Sequence, residues 1–242
     1  MWLRLRFLEQ VAKLVLELRQ DIRDRFGHDP HGADFWCWLS TFGVQEFELI
    51  RDLMPPIPPH EVFRFVGSET ELGFLETGAH AYTMISELLE AQGLRVEDRK
   101  LIFDFGSGPG RVLRYFMRQW ETTGLVGADV DETAIKWAQE HFPFGEFVRN
   151  DPEPPLPFDA GVFDLIYGIS VFSHLNEANH LVWLEELHRV SSPDAVLIFT
   201  VMGEHALGRL ENETEFREWA GLRPQDLEFA RTGLSKGGFA FV

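Results

Sequence analysis

What constrains this chain most is an alternation that begins at Lys100. Residues 101–105, 125–128, 146–149, 163–169 and 195–201 are short, largely apolar runs of strand length. Residues 111–120, 131–142 and 176–190 lie between such runs and carry their apolar side chains at spacings suited to a helix. Strands separated by helices are joined by crossovers, so they lie parallel in a sheet with helices on both faces. Val112, Leu113, Phe116 and Trp120 are expected to face inward on the first of these helices. Leu181, Leu184, Leu187 and Val190 are expected to do so on the last.

The chain before Lys100 has a different character. Residues 3–26 read as an amphipathic helix with Leu8, Val11, Val15, Leu18 and Ile22 on one stripe, stopped by Gly27 and Pro30. That stripe either packs on its own domain or forms a short seam with a second copy, giving a homodimer through the N-terminal helices. Residues 34–53 are again helical and rich in aromatics (Phe35, Trp36, Trp38, Phe42, Phe47), which at helical spacing read as core. The run Pro55-Pro56-Ile57-Pro58-Pro59 forbids helix and marks a boundary. The expected organisation is therefore a helical cap over residues 1–59 and an α/β domain over residues 60–242. Residues 60–66 read as extended. Residues 69–92 read as a helix with Leu75, Ala81, Tyr82, Ile85, Leu88 and Leu89 inward.

Charge and cysteine usage narrow the function. Lys and Arg number 22 against 39 Asp and Glu, a net charge of −17. Such a surface repels phosphate backbones, so nucleic acid is a poor partner. Cys37 is the single cysteine, which leaves no intrachain disulfide and no cysteine-built zinc site. No HExxH pattern occurs, and no metal is expected. No apolar run approaches the roughly 18 residues of a membrane span. A cytoplasmic protein without a membrane segment is the expectation.

The chemistry concentrates at Asp104-Phe105-Gly106-Ser107-Gly108-Pro109-Gly110-Arg111, where the first strand meets the first helix. Glycines there permit a tight turn and close approach of a ligand, and the following helix is expected to present free N–H groups. A P-loop would need Lys-Ser/Thr after the last glycine, where Arg111-Val112 stands. A GxGxxG dinucleotide turn fails as well, since its third glycine falls on Arg111 or Leu113. What remains is an acid followed by glycines two, four and six positions on. The next strand ends in Asp129, about 20 residues further along, the spacing of a ribose-binding carboxylate.

This pattern resembles motif I of the class I S-adenosylmethionine (SAM) methyltransferases, of the kind that act on small molecules. The resemblance continues through Val126-Gly127-Ala128-Asp129-Val130-Asp131, Asn150-Asp151, the strand that ends at Ile169, and the helix before Pro193-Asp194. It implies a Rossmann-like doubly wound sheet and SAM as the cofactor. It further implies that Asp104 holds the methionine ammonium and that Gly106, Ser107, Gly108 and Gly110 form the turn around it. Asp129 would then bind the ribose, Val130 the adenine face and Asn150 with Asp151 the adenine edge, with Ile169 completing the cofactor site.

Methyl transfer needs positioning first and a base only for an acceptor that must lose a proton. His174, after the fourth strand, is the candidate base. The expected acceptor is a small molecule, a sugar or natural product, and residues 60–78 are expected to close over the cofactor. Two other functions share these features: a non-catalytic SAM-fold scaffold, and a nucleotide-dependent oxidoreductase that the glycine spacing disfavours. The family's sheet usually continues into a sixth and seventh strand. Here an apolar strand at the C-terminal end and shortened final strands are expected.

Overall fold

The computed structural model describes residues 33–44, 48–63, 70–120, 122–142, 144–219 and 222–237. The expected helix at residues 3–26, its dimer seam and the apolar segment after Gly237 lie outside them.

At the centre is a five-stranded sheet in the order β3-β2-β1-β4-β5. Its strands are β1 (Leu101–Phe105), β2 (Gly124–Asp129), β3 (Glu146–Arg149), β4 (Phe163–Gly168) and β5 (Ser191–Phe199). Every neighbouring pair is parallel. The strand order reverses beside β1, so the chain leaves the carboxyl ends of β1 and β4 toward opposite faces of the sheet, the position where sheets of this kind bind ligands.

Helices are α1 (Ala33–Trp38), α2 (Glu48–Leu53), α3 (His60–Phe63), α4 (Glu71–Ala91), α5 (Glu132–His141) and α6 (Glu177–Val190). After β5 come α7 (Glu204–Asn212), α8 (Thr214–Trp219) and α9 (Pro224–Gly237), and no strand follows β5 among the described residues.

The alternation of side chains along each strand divides the core in two. Ile102, Leu165 and Tyr167 pack with α4, α5 and the helices that precede α4. Phe103, Phe105, Val126 and Ile166 face α6. No helix joins β3 to β4. That connection contains Pro152, Pro154, Pro155 and Pro157, and it covers the sheet with Leu156 and Phe158 instead. It is pinned by Glu186, whose carboxylate accepts the Leu156 N–H at 2.6 Å and is itself held by Arg189.

The N-terminal helices are keyed to the domain by buried hydrogen bonds. Trp36 donates its indole N–H to the Tyr115 carbonyl at 2.7 Å, and Arg114 donates to the Pro55 carbonyl at 2.9 Å. Tyr115 donates its hydroxyl to the Leu75 carbonyl at 2.7 Å and meets the Thr41 hydroxyl at 3.0 Å. Gly78 of α4 allows this packing, because a Cβ there would lie 2.4 Å from the Arg111 carbonyl oxygen.

Several expectations are corrected. Residues 60–63 are helical, not extended: the N–H of Val62 and that of Phe63 both bond back to the Pro59 carbonyl. Proline fixes φ near the helical value, so a proline just ahead of a turn starts it readily. Residues 64–69 of the expected closing segment lie outside the described residues. The segment after the glycine turn is a 3-10 helix, Leu113–Gln119, with its expected inward residues Val112, Leu113 and Phe116 buried. On α4, Leu88 is 47% exposed. On α6, Leu181 and Leu184 are exposed, and Trp183, Glu186, Leu187 and Val190 form the buried face.

Candidate cofactor and active site

Asp104 is the fourth residue of β1, and the register places it beside Tyr167 of β4. Neighbouring residues on parallel strands point to the same face, so Tyr167 donates its hydroxyl to Asp104 Oδ2 at 3.0 Å. Both side chains are buried. Burial pushes the Asp104 carboxyl up to about 7, against the Tyr167 hydrogen bond and the nearby Arg111 guanidinium, which pull it down. Tyr167 could not be singled out beforehand, because its role depends on a strand register that joins positions 63 residues apart.

Gly106, Gly108 and Gly110 all have positive φ (78°, 52° and 83°), a conformation that side chains resist. The amides of this turn are spent internally. Those of Gly106 and Ser107 donate to the Ala128 carbonyl at 2.8 and 3.0 Å, that of Gly110 to the Ser107 carbonyl, and that of Gly108 to Asp129 Oδ2 at 2.7 Å. Pro109 has no N–H. The expected free N–H groups belong to the helix that follows, and these bonds of the turn do not bear on them. The turn offers closeness of approach, without the ring of amide donors that a pyrophosphate requires.

Asp129 ends β2. Its second oxygen, Oδ1, accepts the Asp131 N–H at 2.9 Å. A carboxylate has about four acceptor positions, so two remain for a ligand diol. Burial raises its carboxyl above the ordinary value, opposed by those two backbone donors. Asp131 caps α5 by accepting from the amides of Thr133 and Ala134.

Gly127, two residues before Asp129, has a packing role that its place in the motif does not reveal. A Cβ there would stand 2.7 Å from Ser107 Oγ and 2.8 Å from the Phe147 ring. A Gly127→Ala protein should lose roughly 1–3 kcal/mol by overpacking and melt several degrees lower. A thermal melt within one degree of the parent would overturn that packing argument.

Asn150 is buried where β3 ends. Its amide N–H₂ donates to the Asp151 carbonyl at 2.7 Å, and its Oδ1 has no partner. A buried acceptor left open costs free energy until a donor arrives. An exocyclic amino group supplies such a donor, so the turn, Asp129 and Asn150 together fit an adenosine with an amino-acid tail. Val130 is 49% exposed beside Asp129, and Asp151 is exposed. Ile169 is half-buried after β4. His174 is exposed at the end of a 3-10 turn, Phe172–His174.

Residues 102–194 match the family model described as a methyltransferase domain. Among curated proteins, the human arginine-hydroxylase NDUFAF5, mitochondrial, is 29% identical over 146 residues, covering 56% of this chain. The chain spans 41% of the length of that relative. Among solved structures, a SAM-dependent methyltransferase from Aquifex aeolicus is 28% identical, with 46% of this chain and 61% of that chain covered and a TM-score of 0.40. The plantazolicin methyltransferase BpumL, solved with a triazolic desmethylPZN analog and S-adenosylhomocysteine (SAH), shares the fold at 15% identity and a TM-score of 0.50. There the coverage is 85% of this chain and 78% of that chain. From β1 to the start of β5, this chain is similar to a methyltransferase domain.

Proposed function

We propose that this protein transfers the methyl group of SAM to a small-molecule acceptor that enters at the carboxyl ends of β1 and β4. The observation that carries the reading is the combination of a glycine turn with its amides already engaged and an unpartnered acceptor at Asn150 Oδ1. A phosphate-bearing cofactor needs the first arrangement reversed, and adenosine satisfies the second.

In this reading Asp104 accepts the ammonium of the methionine tail while Tyr167 keeps the carboxylate oriented. Gly106, Ser107, Gly108 and Gly110 let that tail lie against the backbone. Asp129 accepts from the ribose hydroxyls, and Asn150 accepts from the adenine amino group beside Asp151. Val130 and Ile169 supply apolar contact. When bound, SAM would supply a methyl on a sulfonium: an acceptor lone pair would attack the methyl carbon in line as the S–CH3 bond breaks and SAH leaves. Alignment of this kind is worth several kcal/mol, up to about 7–11 in the best cases. His174, at the rim, accepts the proton when the acceptor is a hydroxyl or a protonated amine.

A second reading of the acceptor has its own support. The 29% identical relative is named for arginine hydroxylation, and a net charge of −17 attracts cationic groups. An arginine side chain is then the acceptor to set beside small molecules.

Calorimetry with SAM, SAH and NAD tests the cofactor. Binding of the first two without NAD is expected, and NAD binding alone would assign an oxidoreductase. Incubation with SAM and pools of sugars, natural products and arginine-rich peptides tests the acceptor. A gain of about 14 mass units marks methylation. In a parallel incubation that adds dioxygen and a two-electron reductant, a gain of about 16 mass units would assign hydroxylation, and no product with any pool would favour a scaffold.

A further inference from the structure

Ser170 is the one non-glycine residue in the left-handed region among the described residues, with φ of 62°. It lies two residues beyond β4, in the loop that leads to α6. Such a backbone persists only where its surroundings hold it. The holder is Thr200, the first residue after β5. Its hydroxyl oxygen accepts the Ser170 N–H at 2.6 Å, while its own N–H donates to the Gly168 carbonyl at 3.2 Å. Ser173 closes the turn by donating its hydroxyl to the Ser170 carbonyl at 3.1 Å.

The consequence falls on the next residue. Val171 lies against the glycine turn so closely that a Cβ on Gly106 would come within 2.2 Å of Val171 Cγ2. Gly106 is itself left-handed, so one wall of its seat is this valine. With Ser170 in the ordinary region of negative φ, the chain would leave in another direction and Val171 would withdraw.

We infer that Thr200 is a positioning residue for the cofactor: through Ser170 it holds Val171 against Gly106 and keeps the glycine turn in its binding shape. The inference rests on the proposed SAM reading and assigns Thr200 no contact with the cofactor.

Titration of the full-length protein with SAH tests it. Thr200→Val should weaken binding roughly fivefold to tenfold, the scale of one hydrogen bond and one released backbone. Thr200→Ser keeps the hydroxyl and should stay within about twofold of the parent. Glycine adopts φ of 62° without help, so Ser170→Gly/Thr200→Val should recover most of the lost affinity. A loss of general packing would not be rescued in this way. Unchanged affinity in Thr200→Val, or no recovery in the double variant, overturns the inference while the SAM reading stands. A parent protein that binds no SAH overturns both. Hydrogen exchange of the Ser170 amide in the parent protein is a separate check that needs no variant. The residue is exposed, so slow exchange supports the Thr200 bond and exchange at the rate of an unstructured amide overturns it.

Discussion

Replacing Asp104 by asparagine is expected to make the ligand-free protein more stable at pH 8 and to impair its cofactor binding. The carboxyl is buried, and its value rises from 3.8 to about 7. A group raised on folding contributes stability in full below its unfolded value and loses it as pH rises through the folded one. At pH 8 the buried carboxylate therefore works against the fold, by an upper limit of about 4 kcal/mol at about 1.4 kcal/mol per unit. Asparagine keeps an acceptor for the Tyr167 hydroxyl without the charge. Removing about 1–3 kcal/mol of that penalty should raise the melting temperature by several degrees at pH 8. At pH 4 the gain should be close to zero, since the parent carboxyl is then protonated.

Affinity for SAH should move the other way. Loss of a buried charge-assisted contact of about 1.5–3 kcal/mol weakens binding roughly tenfold to hundredfold. In the proposed reading a proton competes with the ligand ammonium for Asp104. Affinity should accordingly fall as pH drops below about 7, and the asparagine variant should show no such slope. Melting curves at pH 4 and pH 8, with calorimetry between pH 5.5 and pH 8.5, read all of this. A variant that is less stable at pH 8, or that keeps the parent's pH slope, would remove Asp104 from the proposed role.

Asp129→Ala is expected to weaken both properties together. Both oxygens of Asp129 already hold backbone amides, of Gly108 and of Asp131. Truncation leaves two donors to find water in a half-buried site, at about 1–3 kcal/mol in total. The turn loses the bond that ties it to the end of β2, and the protein should melt several degrees lower. SAH affinity should fall at least about a hundredfold, because two ribose bonds and the shape of the turn go together. Asparagine at 129 should be nearly as harmful, since its N–H₂ would face one of those two amides. The two acids of the site thus separate by experiment: one is held ionised at a cost to the fold, the other is part of the fold. Retention of parent-like adenosine binding by Asp129→Ala would fail the proposal at its ribose end.

The contrast between α6 and the glycine turn explains what could be read from the chain. On α6, Leu181, Leu184, Leu187 and Val190 recur every three residues. Each such step falls about 60° short of a full turn at about 100° per residue, so Leu181 ends up opposite Val190. Trp183, Glu186, Leu187 and Val190 follow the three-one-three spacing that keeps one face, and these are the buried ones. Glu186 hid that face in the sequence, because a carboxylate is expected outside until its partners, Leu156 N–H and Arg189, are known. The glycine turn was legible because its constraint is local. Three left-handed positions within five residues need glycines whatever packs around them.

By itself the sequence determined the strands, their alternation with helices, the glycine turn and the acids at the ends of β1 and β2. These follow from side-chain size, period and backbone freedom, which neighbours along the chain fix. Tertiary structure alone decided that Tyr167 meets Asp104, that Gly127 makes room for Ser107 and Phe147, that Asn150 Oδ1 is left open, and that Thr200 holds Ser170. Each of these joins residues from different strands or turns. Register and crossover set such distances, and no spacing along the chain encodes them.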